Sequence, residues 1–107
     1  MKRTYLAVLD GYPQAFEPGE RFAYCNGGYV VLALIAERTS GAPFPDLLSE
    51  RVLGPAGMTA SGFLRSDGLP GDTALGYLDD GLRTNVLHLP VRGSGDGGLY
   101  STATDIH

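Results

Sequence analysis

The feature that most constrains this chain is Tyr29-Val30-Val31-Leu32-Ala33-Leu34-Ile35-Ala36, an apolar run of eight residues with no charge in it. Asn26-Gly27-Gly28 precedes the run and Glu37-Arg38-Thr39-Ser40-Gly41 follows it. Asparagine is a preferred N-cap, Arg38 suits the negative end of a helix dipole, and Gly41 stands where a left-handed C-terminal cap is expected. The pattern predicts a helix over residues 28–39. A buried strand is the alternative, because Val30, Val31 and Ile35 are β-branched, but length and caps favour the helix. Since the run is apolar on every side, the helix is expected to be buried all round rather than amphipathic. At eight residues it falls far short of the roughly 18–20 that cross a bilayer, so no membrane span is expected.

A chain of 107 residues allows one domain and one small core. It carries 16 glycines and 7 prolines, and eleven of the glycines follow Leu53, so regular structure should concentrate in the first half and turns in the second. Eight basic residues stand against twelve acidic ones with no Lys/Arg cluster, which speaks against a nucleic-acid partner. The basic start at Lys2-Arg3 has too short an apolar stretch behind it to read as a signal peptide, and the compartment stays unassigned. Cys25 is the only cysteine, which excludes an internal disulfide and a multi-cysteine zinc site.

Residues 3–9 read as a short helix closed by Asp10-Gly11, and Pro18-Gly19 is the preferred centre of a type II turn within an extended loop. Pro43-Phe44-Pro45-Asp46 opens another helix that runs to Leu53 and stops at Gly54-Pro55. Short strands are expected at 74–78 and, as strand or extended loop, at 84–91. Thr102 with Asp105 has the spacing of a capping box, with Asp in place of the usual Glu, and so announces a helix with about five residues left to build it. That mismatch gives the expectation that the chain is one incomplete domain, residues 1–107, cut from a longer one.

Several familiar devices fail on inspection. No serine satisfies G-x-S-x-G, since Arg92 precedes Ser94 and Leu99 precedes Ser101 at the glycine position. Lys2 is the only lysine, so S-x-x-K is absent. Cys25 as a thiol nucleophile with His88 or His107 as base is weighed against a cysteine that merely packs, and the latter is favoured. The loop 93–98 could form an anion nest, but it matches no phosphate-binding signature and reads better as close backbone approach or positive-φ turns. Asp67, Asp72, Asp79 and Asp80 do not follow a calcium-loop pattern and read as solvated turn residues; neither a metal site nor a cofactor is expected.

What stands out is an ordered set: Pro18-Gly19, Tyr24-Cys25-Asn26, the apolar helix ending at Ser40-Gly41, Pro55-Ala56-Gly57-Met58, and Gly97-Gly98-Leu99-Tyr100-Ser101-Thr102-Ala103-Thr104-Asp105. In order and spacing this set resembles the serine β-lactamase-like family, which includes class C β-lactamases, D-alanyl-D-alanine carboxypeptidases and related esterases. The resemblance implies the penicillin-recognising serine hydrolase fold, a helical subdomain packed on an antiparallel sheet. The chain matches its middle segment and is therefore expected to be mainly α with loops and short strands.

The resemblance implies roles at two residues only. Tyr24 corresponds to the tyrosine of Y-x-N, which lies beside the nucleophilic serine and lysine and helps proton transfer. Asn26 corresponds to the asparagine that hydrogen-bonds the substrate amide. A tyrosine of pKa about 10 acts as a base near neutrality only beside positive charge, which the family's lysine supplies. The S-x-x-K motif and the K-T-G or H-x-G motif are not found in this sequence. The expectation is a serine-hydrolase segment for β-lactam, peptide or ester substrates that is inactive alone. Packing for Tyr24 and helix capping for Asn26 remain open beside the catalytic roles, as does a noncatalytic module that self-associates to cover the apolar helix.

Overall fold

The computed structural model describes residues 2–107, with side chains described from Thr4 onward. Helix α1 spans Lys2–Leu9 and ends in a turn in which Gly11 adopts φ 83°. The loop behind it contains the expected type II turn: the Glu20 N–H donates to the Glu17 carbonyl at 3.1 Å, and Gly19 sits at φ 83°. Backbone from Arg21 to Cys25 carries no regular hydrogen bonding and leads directly into α2, Asn26–Ser40.

Helix α2 confirms one end of the sequence reading and corrects the other. Gly41 caps the C-terminus at φ 74°, and its N–H donates to the Glu37 carbonyl. At the N-terminus the cap is Cys25 rather than Asn26. Cys25 is extended, at φ −150° and ψ 102°, and its Sγ accepts from the Gly28 N–H at 3.3 Å. Asn26 is already the first helical residue, so its side chain is released from the capping role expected of it.

Helix α3, Phe44–Leu48, has Pro45 in its first turn, where the missing N–H costs nothing. It continues as a π-helical turn over Ser49–Leu53, closed by a bond from the Gly54 N–H to the Ser49 carbonyl at 2.9 Å. The Phe44 N–H donates to Glu37 Oε1 at 2.8 Å, tying the start of α3 to the end of α2.

The second half is made of turns, as its glycines require. Residues 76–85 pair as a small hairpin around an isolated antiparallel bridge, Tyr77 to Thr84, flanked by Leu78 N–H to Arg83 O and Asn85 N–H to Gly76 O, each at 2.9 Å. The strands expected at 74–78 and 84–91 shrink to this bridge, because Val86–His88 turns into a 3-10 helix. Gly62 pairs with Tyr100, and the four-residue helix α4, Ala103–Ile106, closes the chain. The result is mostly helical with little strand, as expected.

The core is small. Ala33 of α2, Leu53 and Phe63 are its buried apolar residues among those described, and Phe63 packs on Phe44 with ring centroids 5.8 Å apart. The segments 63–66 and 91–92 lie side by side, joined by Ser66 N–H to Val91 O and Arg92 Nε to Phe63 O.

The all-round burial expected of α2 is not realised within this chain. Tyr29 is 62% exposed, Leu32 59% and Ile35 52%. The accessible surface is 8447 Å², against about 5,700 Å² for a folded monomer of this mass. The radius of gyration is 16.4 Å, against about 13 Å for a compact domain of this length. The helix forms where the sequence predicts it, but these 107 residues bury only part of its surface. Among the described residues no helix is long and apolar enough to cross a membrane.

Candidate functional site

Tyr24 and Asn26 flank the Cys25 cap at the start of α2, and both are exposed. The approach to them is fixed by local contacts. The Arg21 guanidinium lies 4.6 Å from the Phe16 ring centroid and reaches the Ala15 carbonyl, while Glu20 Oε2 accepts from the Glu17 N–H at 3.0 Å. These bonds shape residues 15–21 so that the chain enters α2 extended.

The first turn of α2 is held from a second side by α1. A Cβ at Gly27 would lie 3.3 Å from the Tyr5 hydroxyl and 3.7 Å from Leu9 Cδ2, so the absence of a side chain lets α1 come close. On a third side sits the loop 93–98, folded on itself by the Ser94–Gly97 pair, with Gly97 at φ 149° and Gly98 at φ 88°. A Cβ at Gly95 would collide with the Tyr29 carbonyl oxygen and come within 2.7 Å of Ala33 Cβ. The glycines of this loop therefore serve close backbone approach, the reading preferred over an anion nest.

Chemically, the site offers a phenol, a carboxamide and the positive end of a 15-residue helix. Cys25 Sγ accepts from the Gly28 N–H and so satisfies one of the unpaired donors of the first turn. Asn26 can donate to a carbonyl and accept from an N–H, which is what recognition of an amide requires. Among the described residues no hydrogen bond joins Cys25 to His88 or His107; its sulfur caps the helix.

A second polar cluster escaped the sequence reading. Asp105 Oδ2 accepts from the Ala60 N–H at 2.9 Å and from Ser61 Oγ at 2.6 Å, and Ser61 Oγ lies 2.7 Å from Ser101 Oγ. Thr102 Oγ1 does cap α4 by accepting from the Asp105 N–H at 3.2 Å. The carboxylate, however, is turned away from the reciprocal half of a capping box. It reaches 44 residues back along the chain, a separation for which local spacing carries no signal.

The acidic residues read as turn-formers behave so where hydrogen bonds define them. Asp67 is held below the usual carboxylate range chiefly by its hydrogen bonds from Arg65, at 2.8 and 2.9 Å. Asp80 is lowered chiefly by Arg83, and then by the N–H groups of Leu82 and Arg83. Among the described residues no three His, Cys, Asp or Glu side chains gather as a metal site.

Comparison with known proteins gives the chain its relatives. The crystal structure of a penicillin binding protein from Bacillus halodurans superposes with a TM-score of 0.86 and 42% identity, covering 98% of this chain and 34% of that one. An octameric penicillin-binding protein homologue from Pyrococcus abyssi superposes with a TM-score of 0.67 and 34% identity, covering 86% and 21%. The D-aminopeptidase of Brucella anthropi is 34% identical over 98 residues, 85% of this chain and 18% of its own length. The chain spans only 27% of the first curated relatives it matches, which are 40% identical to it. The family model described as Beta-lactamase matches residues 2–107.

Proposed function

The chain belongs to the beta-lactamase family, and on that premise we propose that it is the central segment of a serine-hydrolase domain whose Tyr24 and Asn26 face the substrate. The reaction breaks a β-lactam, peptide or ester bond by transferring its acyl group to a serine, with the leaving group taking up a proton, and water then hydrolyses the acyl-serine ester. The similarity to a D-aminopeptidase favours an amide bond carried by a D-amino acid. The observation that carries this reading is the start of α2, where an exposed tyrosine and an exposed asparagine flank a helix N-terminus held from three sides.

In this reading Asn26 positions the substrate amide by donating to its carbonyl and accepting from its N–H. Tyr24 carries a proton between the serine and the leaving group, a role that depends on an adjacent cation. The sequence has one lysine, Lys2, and no S-x-x-K. The 107 residues alone are therefore inactive, and the nucleophile and its lysine come from other parts of the domain.

The exposed apolar surface favours one addition, that the 107-residue chain is a homo-oligomer; the similarity to an octameric homologue from Pyrococcus abyssi supports it. A noncatalytic module that associates through the same surface is the second reading.

The test is intact mass after incubation with a β-lactam and with a serine-directed fluorophosphonate, on the chain and on Cys25→Ala. No adduct on either is the expected result. An adduct that survives in Cys25→Ala would mean that a serine here is activated without the lysine, and the mechanism would be wrong.

A further inference from the structure

Two neighbouring side chains are placed to cap α2, and the structure uses the weaker one. Cys25 Sγ accepts from the Gly28 N–H at 3.3 Å, with Cys25 extended and Asn26 already the first residue of the helix. A thiol sulfur is a weak acceptor, whereas asparagine is among the best N-caps. A capping side chain accepts from the N–H two or three residues further on. From Cys25 these are the N–H groups of Gly27 and Gly28, and from Asn26 those of Gly28 and Tyr29. The Gly28 N–H is common to both, so the two caps compete for it. Among the described residues the Asn26 carboxamide has no hydrogen-bond partner while Cys25 holds that N–H.

The choice of cap decides more than one hydrogen bond. An N-cap residue is extended and a first helical residue is not, so exchanging the caps turns the backbone at Asn26 out of the helix. That turn swings the preceding residues relative to α2, and the first of consequence is Tyr24. Nothing regular resists the swing locally: residues 21–25 carry no ladder of backbone bonds, and the nearest anchor is Arg21 on the Phe16 ring and the Ala15 carbonyl. Gly27 and Gly28 follow directly, so the turn in which the two caps compete is also the one that glycine makes softest.

We propose that Cys25 is a positioning residue for the Tyr24–Asn26 pair. By accepting from the Gly28 N–H it keeps Asn26 inside the helix with its carboxamide free. Without it Asn26 becomes the cap, its Oδ1 is committed to the first turn of its own helix, and Tyr24 moves away from the place it holds beside it. Cys25 touches no substrate in this role and acts only through its two neighbours. The proposal rests on the reading of Asn26 as the group that binds the substrate amide, and deepens it by naming what holds that group available.

The test is made on the 107-residue chain with Cys25→Ala, Cys25→Ser, Asn26→Ala and the double variant Cys25→Ala/Asn26→Ala. The Cα and Cβ chemical shifts of residue 26 report whether it is helical or extended, and urea unfolding gives the stability of each variant. Residue 26 is expected to be helical in the parent and in Cys25→Ser, and extended in Cys25→Ala. Asn26→Ala alone should not lower the unfolding midpoint, because the side chain bonds nothing there, whereas in the Cys25→Ala background it should lower it further, because it then removes the replacement cap. Residue 26 remaining helical in Cys25→Ala would overturn the proposal, as would two substitutions whose effects simply add. Loss of α2 as a whole in Cys25→Ala would overturn it too, since no second cap would have taken over. Neither readout involves a substrate, so failure here leaves the amide-binding reading of Asn26 standing, and failure of that reading leaves the exchange of caps as measured.

Discussion

Gly95→Ala tests the seam between the loop 93–98 and α2 by adding a single methyl group. The new Cβ would collide with the Tyr29 carbonyl oxygen and lie 2.7 Å from Ala33 Cβ, while ordinary contact begins at 3.4 Å. The loop must therefore retreat by at least about 0.7 Å. One obstacle is backbone within a regular helix and the other is a side chain only 3% exposed, so neither can rotate away. Overpacking of this kind costs about 1–3 kcal/mol. With a urea m-value of about 1.5 kcal/mol/M, a loss of about 2 kcal/mol moves the unfolding midpoint down by more than about 1 M. The assay is urea unfolding followed by circular dichroism at one fixed protein concentration, with Gly71→Ala alongside. A Cβ at Gly71 meets nothing within 4 Å, so this substitution should stay within about 0.5 kcal/mol of the parent. Equal midpoints for Gly95→Ala and Gly71→Ala would refute the close approach of this loop to α2.

Other perturbations separate the remaining contacts. Asp105→Ala removes the acceptor shared by the Ala60 N–H and Ser61 Oγ and should cost about 1–3 kcal/mol in the same unfolding assay, whereas a role confined to helix capping would leave the Ala60 amide signal unmoved in NMR. Cys25→Ala deletes the cap on the Gly28 N–H and should destabilise by about 0.5–2 kcal/mol, while Cys25→Ser, with a stronger acceptor, should match or exceed the parent. Because Asp80 is held below its ordinary value, chiefly by its hydrogen bond from Arg83, the contribution of its hydrogen bonds is fully present above the unfolded carboxylate pKa and is lost as pH falls through the lower folded one. The amide signals of Leu82 and Arg83 should therefore titrate with a midpoint below about 3.9. A midpoint at or above that value would break the assignment of Asp80 to this turn.

The parts of the fold that sequence made legible are those written in local chemistry. Gly41, Gly19, Pro45 and Thr102 occupy the cap and turn positions read for them, because left-handed backbone, a fixed φ and a hydroxyl acceptor act within one turn of chain. The identity of the α2 cap was not legible. Asn26 is the better capping residue by type, and only the extended conformation of Cys25 moves the helix start back by one. The strands failed for a related reason: at 84–91 the alternation is weak, and Val86–His88 tightens into a 3-10 turn after one bridge. Tyr24 and Asn26 are read from ordered motifs; both are exposed, and among the described residues no side-chain hydrogen bond assigns them another partner. The Asp105–Ser61–Ser101 cluster joins residues 40–45 apart and had no local pattern to reveal it.

The central claim is that Tyr24 belongs to the substrate-facing part of a serine-hydrolase site, and its most direct test places residues 1–107 in a complete domain. The Bacillus halodurans penicillin binding protein, 42% identical over 98% of this chain, provides the frame. The measurement is the rate at which a chimera carrying these residues forms a penicillin adduct, read by intact mass, with and without Tyr24→Phe. The account predicts that the chimera is acylated and that Tyr24→Phe slows the step about 10²–10⁴-fold, as removal of a proton-transfer group does. Acylation at the same rate in Tyr24→Phe would contradict it.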